Sequence, residues 1–514
     1  MVATHPAPVQ EAGLVSRGRT LAETALVFVA CTALLYAMLT QRPSLVDADG
    51  LFHFKVARLI LAQGPWVDIS WLPYTVLGDH GTDHQWLFHV LIAPFTLLGD
   101  DFRAVSLTAA MMGALIPAAF VPMLRAARVP HAALFCVAMV FCGELLPARF
   151  GMLRAQNVAV ILMAAALFAV LAQRAAWAGV VAFLFMQSYH AAVILAVVAV
   201  TGMAAVYLTE RTLNARTFVA ILVGIFAGLL ASPWFPENVG YFVFHTFFKA
   251  ATGYAGLVGT EWYRVPLAVM ASESWPAHVL LLSGLAAAAA AWRKPGHPRL
   301  AASTLAFLAI TAVFLAMYHF AWRFVEYYAP FAVVTAGLLW RDALQAREPG
   351  IAVRVAIPVC LVAIIAWVGV QGAARIREAR QSSFDAYADM MRYVDANDER
   401  PMVFNSRWSD FVRLFYWSER ARFVSGLDGH YLLYGDEKRF KVWYEVSTGA
   451  TLGRADNATL IRETFGAGWA VIPRNQRPIA MAIARDPTAT IVMETRDGWL
   501  LRLGQGGAAP ALAR

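Results

Sequence analysis

Two aspartates stand just beyond the first apolar stretch of the chain, in Val46-Asp47-Ala48-Asp49-Gly50-Leu51-Phe52-His53. A carboxylate near a low-dielectric boundary is pushed toward its proton-binding form and suits a general base. Two carboxylates together suit Mg²⁺ or Mn²⁺. Two residues apart in an extended segment, the pair faces one way. The competing structural explanation is a helix N-cap at Asp49, ahead of an apolar run. Four further polar clusters follow: Asp83, His84 and Gln85; Arg149, Arg154, Gln156 and Asn157; Gln187, Tyr189 and His190; His319, Arg323, Glu326 and Tyr327. The planar fork of an arginine suits a phosphate, so Arg154 and Arg323 are candidate anion binders; both also suit snorkelling to the lipid headgroups. Glu326 is placed to pair with Arg323. Asp83 or His84 suits orienting a substrate hydroxyl, with helix capping as the plainer role for Asp83 and interface anchoring for Trp86. His190, beside Tyr189, interrupts an apolar stretch and reads as a packing histidine or a base.

The elements that must carry these residues are set by composition. The chain has 514 residues, of which 59% are hydrophobic and only 15% charged, with a mean hydropathy of +0.56; soluble domains average about 25% charged. The apolar residues fall in long blocks, and a block of roughly 18 or more reads as a membrane helix. This predicts a polytopic α-helical membrane protein. The first block, 21–39, follows Arg17 and Arg19 and has no small-x-small cleavage site after it, so it reads as an uncleaved span with its N-terminus in the cytoplasm. A long first outer loop, 41–101, holds amphipathic stretches at 51–62 and 86–98. The second reaches only roughly 20 Å as a helix, so both read as helices at the membrane surface.

With 86–98 not spanning, further spans are expected near 103–124, 131–147, 156–172, 176–188, 190–208, 217–232, 277–292, 300–318, 328–340 and 353–370, about eleven in all. The short loops then facing the cytoplasm carry Arg125, Arg128, Arg174, Arg211, Arg216, Arg293, Lys294, Arg299, Arg341, Arg347 and Arg354, as the positive-inside rule requires. All five polar clusters fall on the opposite, outer face. This parity accounts for the net charge of +8 without nucleic acid, for which no basic stripe or recognition motif is present. Cys31, Cys136, Cys142 and Cys360 lie in apolar blocks without metal-ligand spacing and read as packing residues.

From about residue 372 the composition turns polar, with Arg375, Arg377, Glu378, Arg380, Asp385 and Asp389 in a helical-looking segment. Strand-like runs at 402–404, 421–424, 469–472, 490–493 and 499–503 alternate with helical patterns near 459–465 and 479–485. The domain organisation expected is a transmembrane domain, 1–371, a small soluble extracytoplasmic α/β domain, 372–503, and a disordered tail, 504–514.

Taken together, these residues resemble the GT-C glycosyltransferase superfamily, and within it a large group of bacterial membrane proteins. The matching pieces are Asp47, Asp49 and His53 for an Asp-x-Asp-x-x-x-His segment, His84-Gln85-Trp86-Leu87 for a His-Glu-Trp-Leu segment, Arg154-Ala155-Gln156 for Arg-Pro-Gln, and Arg323-Phe324 for a late Arg-Phe. In the tail, Val403-Phe404-Asn405-Ser406 and Gly426-Leu427-Asp428-Gly429 through Tyr434-Gly435-Asp436 match recurring pieces. Gln85 stands where the group has Glu, and Ala155 where it has Pro. The resemblance implies a GT-C-like fold with the outer α/β domain in the bacterial inner membrane. It implies an inverting transfer of a sugar from a polyprenyl-phosphate carrier to an envelope glycan, lipid or protein acceptor, among membrane lipids. Asp47 or Asp49 is the implied base, and His53, Asp83, His84, Arg154, Gln156, His190, His319 and Arg323 are the implied substrate-binding residues. No cofactor is required by this scheme, while a divalent metal on Asp47 and Asp49 is compatible with it. Competing classes are a lipid-linked glycan flippase or transporter, a glycan polymerase or ligase, and a non-catalytic assembly subunit. Transport is disfavoured because the span interiors are nearly free of charge and no repeat is visible.

Overall fold

In a bilayer the backbone finds no water to bond, so an apolar block must close its hydrogen bonds within a helix. The computed structural model describes residues 9–99, 101–248, 257, 259–293, 300–345, 350–379 and 383–504. Lys294, Arg299, Arg347, Arg380 and the tail from 505 lie outside the described residues. The chain divides into two compact units, one of Met1–Arg42, Ser106–Ala227 and Glu261–Ala379, the other of Pro43–Val105, Gly228–Thr260 and Arg380–Arg514.

The first unit is helical. Ten of the eleven expected spans are single helices: Val9–Leu39, Phe102–Ala126, Gln156–Leu171, Ala175–Ser188, Val193–Glu210, Ala215–Leu230, Trp275–Trp292, Ala302–Phe320, Val325–Gln345 and Ile351–Glu378. Among the described residues six helices are long and apolar enough to cross a membrane. The segment 131–147 departs from expectation. Its helix, Ala132–Val140, covers nine residues, roughly 13 Å, and a short turn of helix, Leu146–Phe150, follows. The break has a local cause. The Ala277 N–H bonds the Cys142 carbonyl at 3.1 Å and the Glu144 N–H bonds the Glu273 carbonyl at 3.2 Å, so backbone groups are satisfied outside a helix.

Helix Val325–Gln345 is the core of this unit, buried without interruption from Val325 to Leu339 and packed on Trp275–Trp292 and Ala302–Phe320. Helices Ala175–Ser188 and Ala215–Leu230 cross through small residues: a Cβ on Gly224 would lie 2.2 Å from the Gly179 carbonyl oxygen, the close approach that small residues permit between membrane helices. Outward faces are apolar, as Leu21, Leu26, Val359 and Val370 illustrate. That is the surface lipid covers. Cys31, Cys136 and Cys142 are buried and Cys360 is exposed.

The second unit holds the sheet, and all five expected strands are present: β1 (Met402–Asn405), β2 (Arg422–Phe423), β3 (Trp469–Pro473), β4 (Ala489–Glu494) and β5 (Gly498–Leu503). Their order is β2-β1-β3-β5-β4. The first three are parallel and β5 and β4 antiparallel. Parallel neighbours need crossovers, supplied by Phe411–Trp417 between β1 and β2 and by Glu437–Thr448 and Asn457–Phe465 between β2 and β3.

Period-two alternation sorts the strands' side chains to two cores. Phe404, Val424, Ala470, Ile472 and Leu501 pack with Phe440, Trp443, Phe465 and Ile483 of the domain's own helices. Val403, Phe423, Trp469, Val471 and Leu500 pack with Val56, Ile69, Leu72, Val76 and Leu77. Residues 43–105, which follow the first helix, therefore belong with the C-terminal residues, and part of them covers one face of the sheet. Burying each large apolar side chain contributes about 1.5–3 kcal/mol.

Polar anchors set the register. Helix Asp49–Gln63 carries Lys55, only 2% exposed. Its ammonium donates to the carbonyls of Phe415, at 2.6 Å, and of Ser418. Burial, only partly opposed by Glu419, pushes the Lys55 ammonium down to about 8. The Phe423 N–H bonds the Trp71 carbonyl at 2.8 Å. Gly435 lies against Thr75, where a Cβ would meet the Thr75 carbonyl carbon at 2.5 Å, so only glycine fits.

Candidate functional site

The arginine cluster lies in the first unit. Arg149 sits on the turn Leu146–Phe150, and Arg154 just before helix Gln156–Leu171. Arg323 sits on the 3-10 turn Trp322–Phe324, and Glu326 in the first turn of Val325–Gln345. Asn157 pins the connection between the first two arginines by donating to the carbonyls of Phe150 and Met152, both at 3.2 Å.

The three guanidinium groups converge on Glu261, in the 3-10 turn Thr260–Trp262. Arg154 Nη1 is 2.8 Å and Arg149 Nη1 3.1 Å from Glu261 Oε2. Arg323 Nη1 is 3.6 Å from Oε1, and its guanidinium lies 4.3 Å over the Trp262 ring. Burial raises the Glu261 carboxyl, but Arg154, Arg323 and Arg149 together outweigh it and hold it far below the usual carboxylate range. Glu326 does not pair with Arg323 as expected; its Oε1 lies 2.5 Å from Arg149 Nη2. Arg149, on the turn Leu146–Phe150, is the cation that reaches Glu326.

His319 is held apart from this cluster. Its Nδ1 donates to the Val265 carbonyl at 2.9 Å, and Arg264 Nη2 approaches Nε2 at 2.8 Å. Gln156 is buried at the start of its helix. His190 packs on Tyr189, ring centroids 4.6 Å apart, and Tyr189 accepts from the Tyr327 hydroxyl at 3.2 Å.

The acidic pair lies in the second unit. Ala48 is in the right-handed helical region and Asp49 opens helix Asp49–Gln63. The extended backbone expected between the two aspartates is absent, so period-two alternation does not align them. Asp49 is not the cap either: Ala48 occupies that position and makes no side-chain cap bond. Asp49 stands four residues before His53, on the same helix face.

His53 begins a buried chain. His53 Nδ1 is 2.8 Å from His89 Nε2, and His89 Nδ1 is 2.6 Å from Asp83 Oδ2. Asp83 Oδ1 accepts the Gln85 N–H at 3.0 Å. Asp83 thus caps no helix; the N-cap of Trp86–Ile92 is Gln85. A neutral His89 that gives its Nδ1–H to Asp83 has Nε2 left to accept from His53 Nδ1–H. His89 escaped the sequence reading because nothing local marks a histidine six residues from its carboxylate. His84 stacks on Tyr241, centroids 4.6 Å apart, and the Tyr241 and Tyr431 hydroxyls bond at 2.6 Å.

Burial raises the Asp83 carboxyl, but His89, then His84 and the Gln85 N–H, more than offset it and leave it below its ordinary value of 3.8. The stabilisation is therefore fully present above that value and is lost as pH falls through the lower folded value. Asp83→Asn is expected to destabilise the protein by roughly 1–3 kcal/mol at neutral pH, with the deficit shrinking below about pH 4 in thermal melts. A deficit that stays constant on acidification would show that the carboxylate's charge is not what stabilises.

Asp47 and Asp49 are hard oxygen donors of the kind Mg²⁺ takes. Among the described residues no group of three or more His, Cys, Asp or Glu is gathered to hold an ion.

No family model and no curated protein matches the chain. Solved structures do. The archaeal oligosaccharyltransferase AglB from Archaeoglobus fulgidus, in complex with an inhibitory peptide and a dolichol-phosphate, is 12% identical with a TM-score of 0.61, over 90% of this chain and 71% of that one. ArnT from Cupriavidus metallidurans, bound to undecaprenyl phosphate, is 14% identical with a TM-score of 0.55, over 93% of this chain and 97% of that one. The arabinofuranosyltransferase AftD from Mycobacteria is 14% identical with a TM-score of 0.56, over 94% of this chain and 40% of that one. At such identities the likeness is one of architecture: this chain shares its overall fold with AglB, ArnT and AftD.

Proposed function

We propose that the protein is a membrane glycosyltransferase that moves a sugar from a polyprenyl-phosphate carrier to an extracytoplasmic glycan, lipid or protein acceptor. The observation that carries this reading is the mostly buried cluster of Arg149, Arg154 and Arg323, an anion site in a helical unit rich in apolar surface. AglB with its dolichol-phosphate and ArnT with its undecaprenyl phosphate support it. In this reading the clusters face the extracytoplasmic side of a bacterial inner membrane. The N-terminus and the short loops with Arg125, Arg128, Arg174, Arg211 and Arg216 then lie in the cytoplasm.

The arginines bind the donor's phosphate by charge-assisted hydrogen bonds. The acceptor oxygen attacks the anomeric carbon, and a first-loop carboxylate takes the acceptor's proton as that bond forms. The bond from the anomeric carbon to the phosphate oxygen breaks, and its electron pair leaves with the polyprenyl phosphate. A single displacement of this kind inverts the anomeric configuration. The arginines stabilise the charge that grows on the leaving phosphate. Asp49 is the assigned base, because His53 stands one turn away and is itself oriented through His89 and Asp83.

The test is transfer by the purified full-length protein in proteoliposomes. Supplied with polyprenyl-phosphate sugars labelled in the sugar and an envelope acceptor fraction, it is expected to label the acceptor and release polyprenyl phosphate in equal amounts. Failure to transfer from every member of a panel of such donors would sink the reading.

A further inference from the structure

Three guanidinium groups share the Glu261 carboxylate in a mostly buried site. A buried donor left without an acceptor is costly, so donors that this carboxylate leaves unfilled call for a further acceptor. Arg149 Nε and Nη2 are buried without a hydrogen-bond partner among the described residues. Nη2 lies close to Glu326 but off the line a hydrogen bond needs. Arg323 is 9% exposed. Its nearest carboxylate oxygen is at 3.6 Å, beyond hydrogen-bond reach. One carboxylate offers two oxygens, and here a single oxygen, Oε2, serves two arginines. The carrier phosphate left after transfer is a monoester with three free oxygens and up to two charges, more acceptors than one carboxylate gives the donors of Arg149 and Arg323, while the sugar-bearing diester offers two oxygens and one charge.

From this geometry we infer that Glu261 is an internal ligand of the arginine site, holding the place of the lipid carrier's phosphate group, which must displace it to bind. The inference rests on the proposed donor class and adds a residue that sets its affinity. Glu261 keeps three like charges together while the site is empty. It competes with an incoming phosphate, so the carrier product is also more easily released. Glu326 touches only Arg149 of the three arginines. It is a fixed counterion.

The test is binding, read without turnover, on the full-length protein in detergent. Undecaprenyl phosphate, undecaprenol and inorganic phosphate are the probes, titrated by calorimetry. Glu261→Gln removes the competing charge and is expected to tighten undecaprenyl phosphate binding roughly 10- to 100-fold, with undecaprenol unchanged. Inorganic phosphate tells whether the free anion suffices or the lipid headgroup is needed; tightening with either phosphate probe supports the assignment. Glu261→Asp keeps the charge and is expected to bind no tighter than wild type. Glu326→Gln changes the net charge equally and is expected to tighten binding far less. The assignment falls if Glu261→Gln binds the phosphate probes no tighter, if undecaprenol tightens equally, or if Glu326→Gln matches it. A protein that behaves as expected in binding yet transfers no sugar would defeat the proposed activity and leave this assignment standing.

Discussion

Under the proposed function, asparagine in place of Asp49 is expected to lower the rate of sugar transfer on the order of 10²–10⁴-fold, the range a positioned general base supplies, while the affinity for the polyprenyl-phosphate donor is expected to stay near wild type. The substitution keeps the volume and removes only the site that accepts the proton. Asp47→Asn is expected to cost less. Asp49 is the residue on the helix, a turn before His53, and His53 is oriented through His89 to Asp83. Asp47 precedes the helix. Steady-state kinetics of each single variant and the double variant, on protein checked by size exclusion, decide the matter. Normal transfer by all three would remove the first-loop carboxylates from the chemistry, and a larger loss in Asp47→Asn would exchange their roles.

The second large effect belongs to the arginines. Alanine at Arg154 or Arg323 is expected to lower kcat/KM for the donor roughly 10- to 100-fold, the equivalent of losing one charged hydrogen bond of about 1.5–3 kcal/mol. Arg323→Lys should recover only part of this. A lysine keeps the charge but not the flat fork that grips two phosphate oxygens or the stacking over Trp262. Because each arginine also neutralises Glu261, the fraction of folded protein must be measured beside the rate. Unchanged kcat/KM in the Arg154→Ala, Arg323→Ala double variant would take the phosphate away from this cluster.

Much of the architecture was legible locally. Ten expected spans coincide with single helices, and five strand-like runs with five strands, because each pattern repeats within one element: long apolar blocks for helices in lipid, short β-branched and aromatic runs for strands. The exception, 131–147, carried its warning in Gly143 and Pro147, yet the break depends on backbone bonds to Glu273 and Ala277. The continuous apolar run Trp469-Ala470-Val471-Ile472 signalled a strand covered on both faces. Nothing in it named the segment after the first helix as one of the covers.

The site divides the same way. Asp47, Asp49, His53, Asp83, Arg154 and Arg323 stood out by type and place. Nothing local singled out Glu261, and Arg149 read as one of a cluster, though these two sit at the centre of the ion network. Residue types and local periodicity by themselves determined that this is a helical membrane chain with a small α/β portion, and which loops carry ionisable groups. Tertiary structure alone decided which carboxylate meets which cation, which histidine orients which, and that Asp49 starts a helix instead of capping it. The physical reason is range: propensity and amphipathic pattern act over a few residues. The partners of a buried charge are chosen by desolvation and proximity, between residues that can stand far apart in the chain, as Arg149 and Glu261 do at 112 positions.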